Sequence, residues 1–246
     1  MLASLRETLI VMPAYNEAGS VGEVVTEVLS HLPGVACLVV DDGSTDDTAA
    51  TARRAGASVA QLPFNLGVGG AMRVGFKYAL SNGYRNVVQV DADGQHDPAD
   101  VIKLLAGLDA ADLVLGARFA GEGDYAAAGP RRWAMVVLAR VLSRTARVKL
   151  TDTTSGFRAS GPRAVRLFAR HYPAEYLGDT IESLVIAARA GCVVAQVPVS
   201  MRPRAAGVPS HNPIKAAVFL ARVGMAVMFA FIRPNVPLHE GIGEQP

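Results

Sequence analysis

The sequence is poor in cysteine, in net charge and in recognisable targeting segments. Its two cysteines, Cys37 and Cys192, lie in or beside apolar runs and lack any metal-ligand spacing. That excludes a disulfide framework and a cysteine metal site, and leaves two buried, reduced thiols. Lysine and arginine number 24 against 22 aspartates and glutamates, a formal charge of +2. Such a balance gives no global pull toward nucleic acid, so only local clusters of positive charge matter. The opening residues, Met1 to Thr8, run directly into an apolar strand without the basic start, apolar stretch and small-residue cleavage site of a secretory leader. The folded part of the chain is therefore expected to stay in the cytoplasm. Internal repeats are absent as well.

What is present is a chain of 246 residues, 50% hydrophobic and 19% charged. It is too apolar for disorder, too interrupted by charge to lie in a membrane throughout, and long enough to bury a substantial core. Short apolar runs alternate with helical patterns through the first half. They are Leu9–Met12, Ser20–His31, Cys37–Val40, Asp46–Ala55, Val59–Leu62, Gly69–Leu80, Val87–Val90, Pro98–Leu108 and Leu113–Leu115. This order predicts an α/β fold with a mostly parallel sheet flanked by helices. Ser20 and Glu23 match a capping box, and Asp97 followed by Pro98 marks another helix start. After Arg118 the alternation lapses into a loop rich in Gly and Ala, Gly121–Gly129, which reads as mobile or as a lid, not as a domain linker.

The chemistry is concentrated at strand ends. The run Val87–Val90 stops at Asp91-Ala92-Asp93, two carboxylates one residue apart. Parallel sheets place ligands beyond the carboxyl ends of their strands. Two anions so close repel each other unless a cation sits between them, and hard oxygen ligands suit Mg²⁺ or Mn²⁺ bridging phosphates. Asp97 reads instead as a helix cap. A second strand ends in Asp41-Asp42-Gly43-Ser44-Thr45-Asp46, and the first ends in Pro13-Ala14-Tyr15-Asn16-Glu17. Three strand ends thus bring polar groups to one crevice. Gly67, Gly69 and Gly70 do not make a dinucleotide fingerprint, because neither their spacing nor a following ribose-binding acid fits.

From Leu9 to Ser210 the chain resembles glycosyltransferase family 2, and within it the dolichyl- or polyprenyl-phosphate sugar synthases. The resemblance implies a GT-A fold and an inverting, metal-dependent transfer from a UDP- or GDP-sugar to a polyprenyl phosphate. Pro13, Tyr15 and Glu17 resemble the family's first nucleotide-binding strand end, with Asp41 or Asp42 reaching the base or ribose. Asp91-Ala92-Asp93 resembles its DXD motif, and Gln95 its additional metal-side ligand. The stretch Asn65 to Ala71, including Gly69, resembles a loop near the nucleotide, with Val68 where a lysine is frequent. Thr154 to Arg158 resembles the Thr-Ser-Gly-Phe-Arg element of the lipid-phosphate synthases. Arg202 to Ser210 resembles their Arg-x-x-Gly-x-Ser loop with one residue inserted, which leaves Arg202 or Arg204 as the phosphate-facing arginine; Arg204 keeps the spacing to glycine.

A phosphate acceptor is already anionic near neutrality and needs orientation by cations more than a general base. Arg118, Arg131, Arg158 and Arg204 are the expected acceptor clamp, since guanidinium forks bind phosphate bidentately. Glu182 resembles the family's glutamate ahead of a helix, with Asp179 as its rival for any base. His96 and His211 are read as surface histidines.

Two stretches suggest a membrane. Trp133–Lys149 interleaves Trp133, Val137 and Val141 with Arg140, Arg144 and Arg147. Ile214–Ile232 is strongly apolar, with Arg222 near its middle, which favours an interfacial or partner-bound helix over a spanning one. A core helix in a homodimer interface is the alternative, and the resemblance adds a small membrane protein as a partner. The expected division is a catalytic domain over 1–212, an associating helix over 213–234 and a loose tail over 235–246, placed peripherally on the cytoplasmic face of the plasma membrane. A family 2 enzyme with a hydroxyl acceptor, or a nucleotide-sugar binder without turnover, are the rival readings.

Overall fold

The computed structural model describes residues 5–117, 139, 140, 142–173 and 179–202. The predicted Gly- and Ala-rich lid, Arg118, Arg131, Arg204, His211, the apolar stretch Ile214–Ile232 and the tail lie outside the described residues. So do Trp133, Val137 and Val141.

The alternation becomes a sheet wrapped by helices. Strand β1 (Thr8–Ala14) leads to α1 (Val21–His31), β2 (Ala36–Asp41), α2 (Thr48–Arg54), β3 (Ser58–Gln61), α3 (Gly67–Ser81) and β4 (Asn86–Gln89). A 3-10 turn over Pro98–Asp100 then runs into α4 (Val101–Gly107) and β5 (Leu113–Ala117). Beyond the predicted elements the chain adds β6 (Arg158–Ser160), α5 (Pro162–His171), α6 (Asp179–Arg189) and β7 (Val194–Pro198). The sheet order is β3-β2-β1-β4-β6-β5-β7. All pairings are parallel except those of β6, which runs antiparallel to both β4 and β5.

Both faces of the inner strands β1, β2, β4 and β5 are covered, so these read as nearly continuous apolar runs instead of alternating with polar residues. Along β1, Leu9 and Val11 enter one core beneath α3, α5 and α6, and Ile10 and Met12 enter the other beneath α1 and α4. In the first core Phe76 of α3 meets Phe168 and Tyr172 with ring centroids 5.1 Å away in each case, and Phe168 meets Tyr172 edge-on at 5.2 Å. Offset and edge-on aromatic pairs contribute roughly 0.5–1.5 kcal/mol beyond their buried area, and these three fasten α5 to α3.

One helix start departs from expectation. Ser20 does not cap α1; its hydroxyl donates to Glu17 Oε2 at 2.9 Å, so the capping box does not form. Asn16, in the left-handed region at φ 55°, brings Glu17 back within reach of Ser20. Asp97 behaves as expected, accepting from Ala99 N at 3.0 Å ahead of Pro98. Both cysteines are buried and unpaired by disulfides, and burial pushes the Cys37 thiol up to about 12 and Cys192 to about 11.

In the basic stretch, Leu142 and Leu150 are buried in the first core, while Arg140, Arg144, Arg147 and Lys149 are exposed. Over residues 142–150 the apolar side chains therefore pack on protein and the charged ones face out. Among the described residues, no helix is long and apolar enough to cross a membrane.

Candidate active site

Because β1, β2 and β4 run parallel, their carboxyl ends emerge along one edge of the sheet. A crevice of about 410 Å³ opens there. Its walls carry Pro13, Ala14, Tyr15 and Glu17 from the end of β1, Asp42 from the end of β2, and Gln89, Asp91, Ala92 and Asp93 from the end of β4. Val68 at the start of α3, Thr154, Gly156 and Thr180 complete it. The structure thus brings together the three strand ends anticipated from the sequence.

The loops after β1 and β2 are laced to each other. Asn16 N donates to Ser44 Oγ at 2.9 Å, Thr45 N donates to Asn16 Oδ1 at 2.9 Å, and Glu17 N donates to Thr48 Oγ1 at 2.8 Å. Asp46 accepts from Ala18 N and from both the amide and the hydroxyl of Thr48. Burial works against its charge, yet the hydrogen bonds from Thr48 and Ala18 prevail and hold its carboxyl below the ordinary value of 3.8.

Asp41 and Asp42 separate in role. Asp41 accepts from Ser44 N at 3.0 Å and from Gln61 Nε2 at 3.3 Å, and it is not on the crevice wall. Asp42 lines the crevice while its two oxygens accept from Leu66 N at 2.7 Å and Gly67 N at 2.8 Å. It thereby binds the first amides of α3, where a carboxylate is favoured, and Gly67 sits at φ 79°, a conformation glycine adopts without steric cost. Burial raises the Asp42 carboxyl, those two amides pull it back, and the neighbouring Asp41 charge raises it further. Gly69 is buried within α3 and does not line the crevice.

At the end of β4, Asp91 is partly exposed and Asp93 is 8% exposed. Gln95 N donates to Asp93 Oδ1 at 3.0 Å, and the Gln95 side chain is not on the wall. Gln95 also accepts on its backbone oxygen from Arg202 N at 2.9 Å. Among the described residues, no three His, Cys, Asp or Glu side chains converge as a metal cage. Two adjacent hard carboxylates at an open crevice fit a divalent ion that takes its remaining ligands from a diphosphate and water, the habit of Mg²⁺.

Several expectations are corrected. His96 is not a surface residue: it is 3% exposed, its ring stacks on Phe157 at 4.6 Å and 11°, and its Nδ1 accepts from Asp91 N at 3.0 Å. Arg158 is not directed at a ligand. It is 5% exposed, and its guanidinium donates to the carbonyl oxygens of Ser155, Thr180 and Thr153 at 2.7, 2.6 and 3.0 Å. It therefore shapes the loop it follows. Arg202 pairs with Glu27 at 2.6 Å and Asp97 at 3.1 Å and is not among the residues lining the crevice. Glu182 is 2% exposed and is not among the residues lining the crevice, whereas Thr180, two residues earlier on α6, is. Asp179 begins α6.

Gln89 was not anticipated. It stands two residues before Asp91 and so shares its side of the strand; a glutamine inside an apolar strand, 4% exposed, was the available signal.

A sheet of this order with carboxylates gathered beyond β1, β2 and β4 is the GT-A glycosyltransferase architecture. The chain belongs to glycosyl transferase family 2, whose model matches residues 9–170. It is 36% identical over 169 residues to a polyprenol monophosphomannose synthase of Mycolicibacterium smegmatis, a match spanning 63% of this chain and 61% of that protein. It is 30% identical over 245 residues to an undecaprenyl-phosphate mannosyltransferase of Micrococcus luteus, covering 94% of this chain and 99% of that one. Among solved structures, glucosyl-3-phosphoglycerate synthase of Mycobacterium tuberculosis in complex with Mg²⁺ and UDP is similar at TM-score 0.70 and 21% identity, covering 95% of this chain and 84% of that one.

Proposed function

We propose that the chain transfers a sugar from a UDP- or GDP-sugar to a polyprenyl phosphate, with inversion at the anomeric carbon. The observation that carries this reading is the Asp91 and Asp93 pair on the wall of one crevice with Tyr15, Glu17 and Asp42. The near full-length similarity to the Micrococcus luteus enzyme supports the lipid phosphate as acceptor.

Asp91 and Asp93 would hold a Mg²⁺ or Mn²⁺ ion, which when bound neutralises charge on the departing diphosphate. Tyr15, 48% exposed at the rim of the crevice, offers a flat face to the donor's nucleotide. An acceptor phosphate oxygen attacks the anomeric carbon as the bond from that carbon to the donor diphosphate breaks. The electron pair leaves with the nucleoside diphosphate, and no proton need be removed from an acceptor already ionised at neutral pH. Arg118, Arg131 and Arg204 are the proposed acceptor clamp. The exposed row Arg140, Arg144, Arg147 and Lys149 suits an anionic bilayer surface, which is where the acceptor resides.

The test is an assay of transfer from UDP- and GDP-sugars to undecaprenyl phosphate beside a panel of saccharides and 3-phosphoglycerate. Label in the lipid fraction supports the proposal; label only in a hydroxyl acceptor refutes it.

A further inference from the structure

We propose that His96 and Gln89 are positioning residues for Asp91, and that the loop before β6 is packed as it is to hold them there; the inference rests on reading Asp91 as a holder of the divalent ion. Asp91 is gripped from two sides. Its backbone N–H donates to His96 Nδ1 at 3.0 Å, and its Oδ1 accepts from Gln89 Nε2 at 3.1 Å. With Nδ1 accepting, the imidazole carries its proton on Nε2, and that nitrogen faces Asp91 Oδ2 at 3.6 Å.

Both grips are buried and seated by the same loop. His96 lies flat on Phe157, which is fully buried. A Cβ placed on Gly156 would come within 3.0 Å of Gln89 Nε2 and 3.1 Å of Asp91 Oδ2. A methyl group there would oblige one of these two side chains to give by a few tenths of an ångström. The Arg158 guanidinium then fixes the loop through the carbonyl oxygens of Ser155 and Thr153. The Thr-Ser-Gly-Phe-Arg segment thus acts on the donor side of the site, through Asp91. Two carboxylates one residue apart tend to swing away from each other when no cation is between them. Side chains that fix one of them in advance lower the cost of capturing the ion, as partners of metal ligands do elsewhere at about 10- to 100-fold in affinity.

The test is Mn²⁺ binding to the full chain, read by electron paramagnetic resonance with UDP in one arm and GDP in another. His96→Phe keeps a flat ring on Phe157 and removes the acceptor; His96→Asn returns an acceptor oxygen near the Nδ1 position; Gln89→Leu removes the second grip. His96→Phe is expected to weaken Mn²⁺ binding about 10- to 100-fold, with His96→Asn recovering most of the loss. Gln89→Leu is expected to weaken it about 10-fold, with the Mn²⁺ concentration needed for half-maximal turnover rising in step. If His96→Phe does not fold, Gln89→Leu decides alone. Parent-like Mn²⁺ affinity in these variants, alongside loss in Asp91→Asn, overturns the positioning role and leaves the donor-site reading intact. Parent-like affinity in Asp91→Asn overturns both.

Discussion

Arg158 on β6 donates from its guanidinium to the carbonyl oxygen of Thr180 at 2.6 Å and to Ser183 Oγ at 3.1 Å, which ties the loop over Asp91 to the first turns of α6. The arginine that ends the segment resembling the Thr-Ser-Gly-Phe-Arg element is thus a buried cross-brace between two walls of the crevice.

Replacing Arg158 with Ala is therefore expected to cost at least about 3 kcal/mol of folding stability, counting only two of its four charge-assisted hydrogen bonds at roughly 1.5 kcal/mol each. Lysine should not rescue it, since one ammonium cannot span the same carbonyl oxygens as a planar fork. Thermal or urea unfolding checks this. A variant with unchanged stability and a raised KM for the lipid phosphate alone would restore Arg158 to the acceptor clamp.

Gly156→Ala is expected to reduce turnover about 10-fold or more while the fold persists, because its methyl group must displace Gln89 or Asp91. Steady-state kinetics at varied Mn²⁺, with a melting curve beside them, separates this from general destabilisation. Unaltered kinetics would mean that the loop yields without disturbing either side chain.

Two neighbouring loops should titrate in opposite directions. Asp46 is held below 3.8, so the stability it contributes is present above 3.8 and fades as pH falls through its lowered value. Asp42 is raised above 3.8, so its contribution is present below 3.8 and is lost as pH rises through its higher value. Carboxyl-carbon NMR titration is expected to place Asp42 above Asp46. Asp46→Asn should lose stability near neutrality, and the difference from the parent should shrink on acidification.

Much of the architecture was legible in the residues. The strands from Leu9 to Leu115 announced themselves as apolar runs because both faces of the sheet are covered, and the acidic pairs after β2 and β4 marked the crevice. The antiparallel β6 was not legible: three residues, Arg158–Ser160, are too few to show a period, and their strand character comes from pairing with β4 and β5. The burial of His96 was hidden for a similar reason. Nothing local distinguishes an exposed histidine after an acidic turn from one stacked on Phe157, 61 residues farther along the chain. Motif spacing located Arg158 correctly in the sequence but said nothing of its direction, which depends on where α6 returns.

The exposed row of Arg140, Arg144, Arg147 and Lys149 leads to a surface prediction. Substituting the three arginines with Gln should weaken binding to vesicles containing anionic lipid by about 10²-fold, at roughly 1 kcal/mol per side chain, and leave binding to neutral vesicles unchanged. Sedimentation with vesicles at low and high salt measures it. Equal binding by parent and variant would assign membrane contact to another part of the chain.

The central claim is tested most directly by following labelled sugar from a UDP- or GDP-sugar into undecaprenyl phosphate, with Mn²⁺ present or chelated, in the parent and in Asp93→Ala. The account predicts a labelled lipid product that chelation abolishes, and a loss of at least about 10²-fold in Asp93→Ala without a comparable loss of thermal stability. Transfer by Asp93→Ala at nearly the parental rate, or an absence of lipid product from every donor, would contradict it.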